Sequence, residues 1–272
     1  MLGLMQGQPL MISSLIEFAA RHHGEGEIVS RRVEGDIHRY TWRDVAARSM
    51  QVAGALDAMG LAFSARVATL AWNGYRHLEL YFGVSGTGRV LHTINPRLHP
   101  DQIAWIANHA EDEVVCFDLT FLPIIQAIHA RCPGVRQWVA LCAADRLPAD
   151  TGITSLVAYE DWIGGHPTTY TWPQFDENSA SSMCYTSGTT GNPKGVVHTH
   201  DTLINRAQAG AEFDRLTHAE DVLAYLPPAW IGQNIFSYAQ WLVCGYVVNC
   251  PESGATVMID LKEVGPTYYF AP

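Results

Sequence analysis

The sequence has no C-x-x-C pair. Its six cysteines, Cys116, Cys132, Cys142, Cys184, Cys244 and Cys250, are scattered, mostly within apolar segments. They read as buried free thiols in a reducing compartment rather than as disulfides or a metal site. No uncharged apolar run reaches the length of about 18 residues that a membrane span needs. Met1 to Ile12 is apolar but lacks a positive n-region and a long h-region, so no signal peptide is expected. A cytoplasmic protein is expected, with peripheral membrane contact left open. Basic residues are scarce: Lys and Arg total 17 against 27 Asp and Glu, a net charge of −10. That balance argues against nucleic acid as a partner, because phosphate backbones are bound by basic surfaces. It does not exclude a nucleotide, whose phosphates need only a local positive site. There is no H-E-x-x-H pattern, no G-x-S-x-G elbow and no repeat with a period of about 20 to 50 residues.

What is present suffices for a sizeable core. The chain has 272 residues, 48% of them hydrophobic, enough for one large or two ordinary domains. Apolar spacing predicts a helix over 9–23 and strands over 27–33 and 37–40, joined by Glu34-Gly35-Asp36. Thr41 and Asp44 predict a capped helix that Gly60 stops. Strands over 66–72, 89–94, 113–117 and 137–141 then alternate with helices over 75–85, 100–110 and 119–130. This alternation predicts parallel βαβ layering, an α/β fold. Residues 143–178 are loop-rich, with a short helix near 155–163, and read as a connection between sub-layers of about 1–165 and 179–272. Beyond it, strands are expected over 182–186, 195–199, 222–226, 246–250 and 267–271. Helices are expected from Asp201, as cap, to about Phe213, over 231–244 and over 257–264.

The most specific stretch begins at Tyr185 and reads Tyr-Thr-Ser-Gly-Thr-Thr-Gly-Asn-Pro-Lys-Gly. Ser187 to Gly195 hold three glycines, three hydroxyl side chains and one lysine, between an apolar run and the β-branched pair Val196 and Val197. Gly188 and Gly191 let backbone N–H groups converge on an anion. Thr186, Ser187, Thr189 and Thr190 add hydroxyl donors. Lys194 adds a mobile positive charge, which Pro193 positions. Together they make a polyphosphate cradle. It is not a Walker A loop, because Lys194 leads into a strand, and it is not a dinucleotide turn, because the glycine spacing differs.

The loop closely resembles the signature loop of the adenylate-forming superfamily, which includes acyl-CoA synthetases, luciferases and peptide-synthetase adenylation domains. Arg66-Val-Ala-Thr-Leu-Ala-Trp-Asn-Gly-Tyr-Arg-His, His92-Thr-Ile-Asn-Pro-Arg-Leu and Ile103-Ala-Trp-Ile-Ala-Asn-His-Ala-Glu-Asp resemble bacterial fatty-acyl-CoA synthetases. Val222-Leu-Ala-Tyr-Leu-Pro-Pro-Ala-Trp and Gly265-Pro-Thr-Tyr-Tyr-Phe-Ala-Pro resemble acyl-CoA synthetase segments, from what reads as a different branch. The likeness implies layered βαβ sheets and a two-step reaction. A medium- or long-chain fatty acid and ATP give an acyl-adenylate, and CoA then takes the acyl group. It implies Thr186, Ser187, Gly188, Thr189, Thr190, Gly191 and Lys194 as the nucleotide loop, with Thr186 also approaching Mg²⁺. It implies Trp230, in Pro227-Pro228-Ala229-Trp230, as an acyl-pocket wall where family members often carry Pro-x-Phe-His. A homodimer is compatible with it.

The family's Tyr-Gly-x-Thr-Glu segment, ribose-gripping Asp and C-terminal lysine domain do not occur within the 272 residues. The chain is therefore expected to be a truncated N-terminal domain over 1–272, without the C-terminal lid, and inactive by itself. The alternatives are a non-catalytic nucleotide- or acyl-binding module, a protein that caps a partner subunit, and an adenylating enzyme for an aromatic or amino acid.

Four further features carry weaker expectations. His198-Thr199-His200 places two imidazoles on one face of a strand, with no third ligand at metal spacing. His92, Asn95 and Arg97 are read as strand-end polar residues with cleft lining as the alternative. Gly83, Gly86 and Gly88 are read as helix termination and close packing. Glu111 and Asp112 are read as a solvated turn.

Overall fold

The computed structural model of the chain describes residues 7–186, 192–233, 239 and 244–270. Its organising element is a seven-stranded sheet. The strands are β3 (Arg66–Leu70), β4 (Val90–Thr93), β5 (Asp112–Phe117), β6 (Gln137–Ala140), β7 (Leu156–Ala158), β8 (Ala180–Thr186) and β9 (Lys194–Thr199), in the order β7-β6-β5-β3-β4-β8-β9. All neighbours are parallel except β8 and β9, which form an antiparallel hairpin.

The central strands are apolar on both faces, as parallel strands covered by helices must be. In β3, Val67 joins one core while Ala68 and Leu70 join the other. In β5, Val114 and Cys116 face the first core, and Val115 and Phe117 the second. The first core is covered by α1 (Ile12–His22), α2 (Trp42–Ala58) and α3 (Tyr75–Gly86). The second is covered by α4 (Pro100–His109) and α5 (Leu122–Ile128). Thr41 caps α2 in a capping box with Asp44, as the sequence predicts.

A second sheet has four strands. β1 (Glu27–Arg31) and β2 (Ile37–Thr41) form a hairpin, and β1 pairs in parallel with β11 (Val247–Cys250), which pairs with β10 (Asp221–Leu223). This pairing crosses the connection over residues 143–178. The N-terminal hairpin sits with the last strands, and β8 and β9 extend the sheet built before the connection. Hydrogen bonds join edges by geometry, whatever their distance in sequence.

Smaller differences follow from local chemistry. Leu156–Ala158 is a strand that runs straight into α6 (Tyr159–Gly164), where one helix was expected. Thr199, not Asp201, caps α7 (His200–Asp214): its Oγ1 accepts the Thr202 N–H at 3.1 Å. Thr267 and its neighbours make a single bridge, Val222 to Tyr268, rather than a described strand. The helix expected over 231–244 falls partly outside the described residues. α8 (Val257–Val264) is present as expected.

Candidate functional site

The register of the β8–β9 hairpin builds the site. Thr186 pairs with Lys194, Cys184 with Val196 and Ser182 with His198. Directly paired residues share a sheet face, and so do residues two apart along a strand. Thr186, Cys184, Lys194, Val196 and His198 therefore lie on one face. The Thr186–Lys194 pair closes the base of the glycine-rich loop. Both residues are exposed. Lys194 makes no ion pair to any described residue, so its charge is open to an incoming anion. Ser187, Gly188, Thr189, Thr190 and Gly191 lie outside the described residues.

This face borders a cavity of about 590 Å³. Cys184, Tyr185, Thr186, Val196 and His198 form one wall. Leu226, Ala229, Trp230, Ile231 and Gly232, from the segment after β10, line the cavity too, with Phe270. Asn95 and Leu98, which follow β4, complete it. No Asp, Glu, Lys or Arg lines it among the described residues. The cavity is thus mainly apolar, with Thr186 at the end where the loop begins.

Local turns explain the placement of two wall residues. The Trp230 N–H donates to Pro227 O at 2.9 Å, closing a turn with Pro228 at the position where proline's fixed φ is favourable. That turn swings Trp230 onto the cavity wall and leaves it 42% exposed. Tyr225 Oη donates to Phe270 O at 2.7 Å, which holds the Phe270 backbone beside the same wall.

Of the three strand-end residues, only Asn95 lines the cavity. Its Oδ1 accepts the Arg97 N–H at 3.0 Å. His92 is fully buried in β4, and its Nδ1 lies 2.9 Å from both carboxylate oxygens of Asp112. The reading of Glu111 and Asp112 as a solvated turn is corrected for Asp112. Glu111 takes a left-handed φ of 55° and pairs with Arg66 at 2.6 Å outside, and β5 begins at buried Asp112. Burial pushes the Asp112 carboxyl above its ordinary range, and His92 opposes this.

The paired imidazoles also separate. The strand ends at Thr199, so His200 becomes the first residue of α7. It is buried, and its Nδ1 accepts the Ile12 N–H at 3.2 Å. His198 stays on the cavity wall. Among the described residues, no group of three His, Cys, Asp or Glu side chains is gathered to hold a metal ion. The alternation from Lys194 through Val196 to His198 is the sequence signal that places His198 on the cavity face.

Comparison with known proteins fits this geometry. A family model described as AMP-binding enzyme matches residues 16–272. The chain is 49% identical over 267 residues to the medium-chain-fatty-acid–CoA ligase of Ectopseudomonas oleovorans, covering 98% of this chain and 46% of that one. It is 39% identical over 241 residues to the long-chain-fatty-acid–CoA ligase of Thermus thermophilus, covering 88% of this chain and 43% of that one. The crystal structure of the anthranilate CoA ligase AuaEII in complex with anthranoyl-AMP superposes with a TM-score of 0.81 at 23% identity, over 94% of this chain and 49% of that one. At that identity the likeness concerns the fold alone. The chain spans about half the length of the curated relatives it matches. On the family match and these identities, the chain belongs to the AMP-binding enzyme family.

Proposed function

We propose that residues 1–272 form the N-terminal part of an AMP-forming acyl-CoA ligase for a medium- or long-chain fatty acid. The observation that carries this reading is the Thr186–Lys194 pair, which sets the base of a phosphate-type loop at the end of an apolar cavity. A cavity of about 590 Å³ lies within the range of small-molecule sites, roughly 300–1,000 Å³. The apolar walls take the acyl chain, and the acid's carboxylate points to the loop. The identity to the medium-chain and long-chain ligases supports the same acid class.

The chemistry follows from charge. A carboxylate oxygen is a poor leaving group. In the first step it attacks the α-phosphorus of ATP, the bond to the bridging oxygen breaks and pyrophosphate leaves. In the second step the sulfur of CoA attacks the acyl carbon, and AMP leaves with the electron pair. On this reading Lys194 follows the charge of the departing phosphates, and Thr186 with Ser187, Gly188, Thr189, Thr190 and Gly191 orients them by hydrogen bonds. Mg²⁺ supplies neutralisation of phosphate charge when it is bound. A Mg²⁺ carried in by a triphosphate needs only about one or two protein oxygens. The exposed Thr186 hydroxyl at the loop's base fits as one of them.

Trp230 provides the test. Decanoate titrated into the 272-residue chain is expected to change tryptophan emission, with the change largely lost in W230F. MgATP is expected to bind, and K194A to bind it about ten-fold more weakly, the size of one lost charge-assisted contact. Absence of both decanoate and MgATP binding overturns the reading. By itself the chain is expected to show no fatty-acid-dependent ATP–pyrophosphate exchange. The rings of Tyr185, Trp230 and Phe270 favour an aromatic acid as the second reading. Benzoate binding more tightly than decanoate selects it.

A further inference from the structure

His198 stands out on a cavity lining that is mainly apolar. The residue lines the cavity, yet neither ring nitrogen hydrogen-bonds to any described residue, and Nε2 is closed to solvent. An aliphatic chain has no use for a polar atom at this position, and an unpaired buried nitrogen carries a free-energy cost that Leu or Phe would avoid. A ring flip about χ2 exchanges the two edges on which the nitrogens stand without moving the ring plane.

Its position is as informative as its chemistry. Lys194 and His198 share one strand face, four residues and about 13 Å apart at the usual rise. Between them stands the apolar pair Cys184 and Val196, and Leu226 and Trp230 line the same cavity. The hairpin face therefore runs polar at Thr186 and Lys194, apolar through the middle, and polar again at His198.

We infer that the acyl group this cavity takes carries a hydrogen-bonding oxygen, hydroxyl or oxo, remote from its carboxylate and read by His198. The inference rests on the acyl-ligase reading above and narrows its acid. Burial lowers the His198 pKa, so the imidazole stays neutral at pH 7. A neutral imidazole has one donor and one acceptor nitrogen, which suits a hydroxyl in either role and an oxo group as acceptor.

The test is calorimetric titration of the 272-residue chain with decanoate and with ω-hydroxydecanoate. The hydroxy acid is expected to bind about five-fold more tightly, the yield of one hydrogen bond to a buried neutral partner. H198L, close in volume and without a polar atom, is expected to erase or reverse that preference. H198Q, which keeps a donor and an acceptor, is expected to retain part of it. Equal affinities in the wild-type chain overturn the inference and leave the acyl cavity standing, as does a preference that survives H198L. Failure of both acids to bind overturns the acyl cavity and the inference with it. The wild-type comparison decides even if H198L does not fold.

Discussion

Asp112 and His92 illustrate how one side chain depends on another. Both are fully shut off from water, and the imidazole is the only hydrogen-bond partner of the carboxylate among the described residues. D112A is expected to leave His92 Nδ1 buried without an acceptor and to cost about 3 kcal/mol of unfolding free energy. D112N keeps an acceptor oxygen and is expected to cost less. Urea denaturation measures both, and a D112A loss below about 0.5 kcal/mol would sink this account of the pair. Two adjacent acids before a strand gave no sign of this in the sequence, since a solvated turn has the same composition. The left-handed φ at Glu111 separates them: it turns one side chain out to Arg66 and the next in to His92. His198 was equally hidden as one of two histidines on a strand. Its neighbour His200 left the strand because Thr199 found the Thr202 N–H and started a helix.

At the scale of elements, the packing of α2 on α3 turns on Gly83. A Cβ there would lie 2.6 Å from Val52 Cβ and 2.9 Å from the Ser49 carbonyl oxygen. Alanine would gain about 1 kcal/mol of helix propensity. Overpacking against a backbone oxygen that cannot rotate away costs about 1–3 kcal/mol. The clash outweighs the gain in propensity, so G83A is expected to destabilise by about 1–2 kcal/mol in chemical denaturation. G164A, at the end of α6 with open space around its Cβ, is the control and is expected to be neutral or slightly stabilising. The glycine spacing Gly83, Gly86 and Gly88 was legible as close packing and termination. Gly86 faces Trp172, and Gly88 ends the helix region at a φ of 78°. Helices and strands from 66 to 141 were legible too, because their periodicity is clean. The cap of α7 was not, because Thr199 and Asp201 are both good capping residues and only the end of β9 chooses between them.

For the molecule as a whole, buried titratable groups make stability depend on pH. Burial holds His200 near pH 4 against an ordinary 6.5. The unfolded chain therefore takes up this proton first as pH falls. The contribution of neutral His200 is complete above about 6.5 and is lost as pH falls through about 4. Asp118, pushed up to about 7 by burial, has the opposite sign: its contribution is complete below its ordinary 3.8 and is lost as pH rises through about 7. His200→Asn keeps an acceptor for the Ile12 N–H and cannot titrate. Relative to wild type, it is expected to retain on the order of 3 kcal/mol more of its neutral-pH stability at pH 4. Unfolding curves of both proteins at pH 7 and pH 4 give the comparison, and parallel pH profiles would count against it. Amino-acid order alone dictates the glycine-rich loop, most helices and strands, and the apolar alternation of β9. Each of these is encoded within a few neighbouring residues, through backbone freedom, side-chain period and turn chemistry. Folding in three dimensions was needed to pair β1 with β11, to join β8 and β9 to the first sheet, and to bring Trp230 and His198 to one cavity. Pairing between strands far apart in the chain leaves no local mark. Loop closure costs little more for a long loop than for a short one, so packing of whole faces chooses the partners.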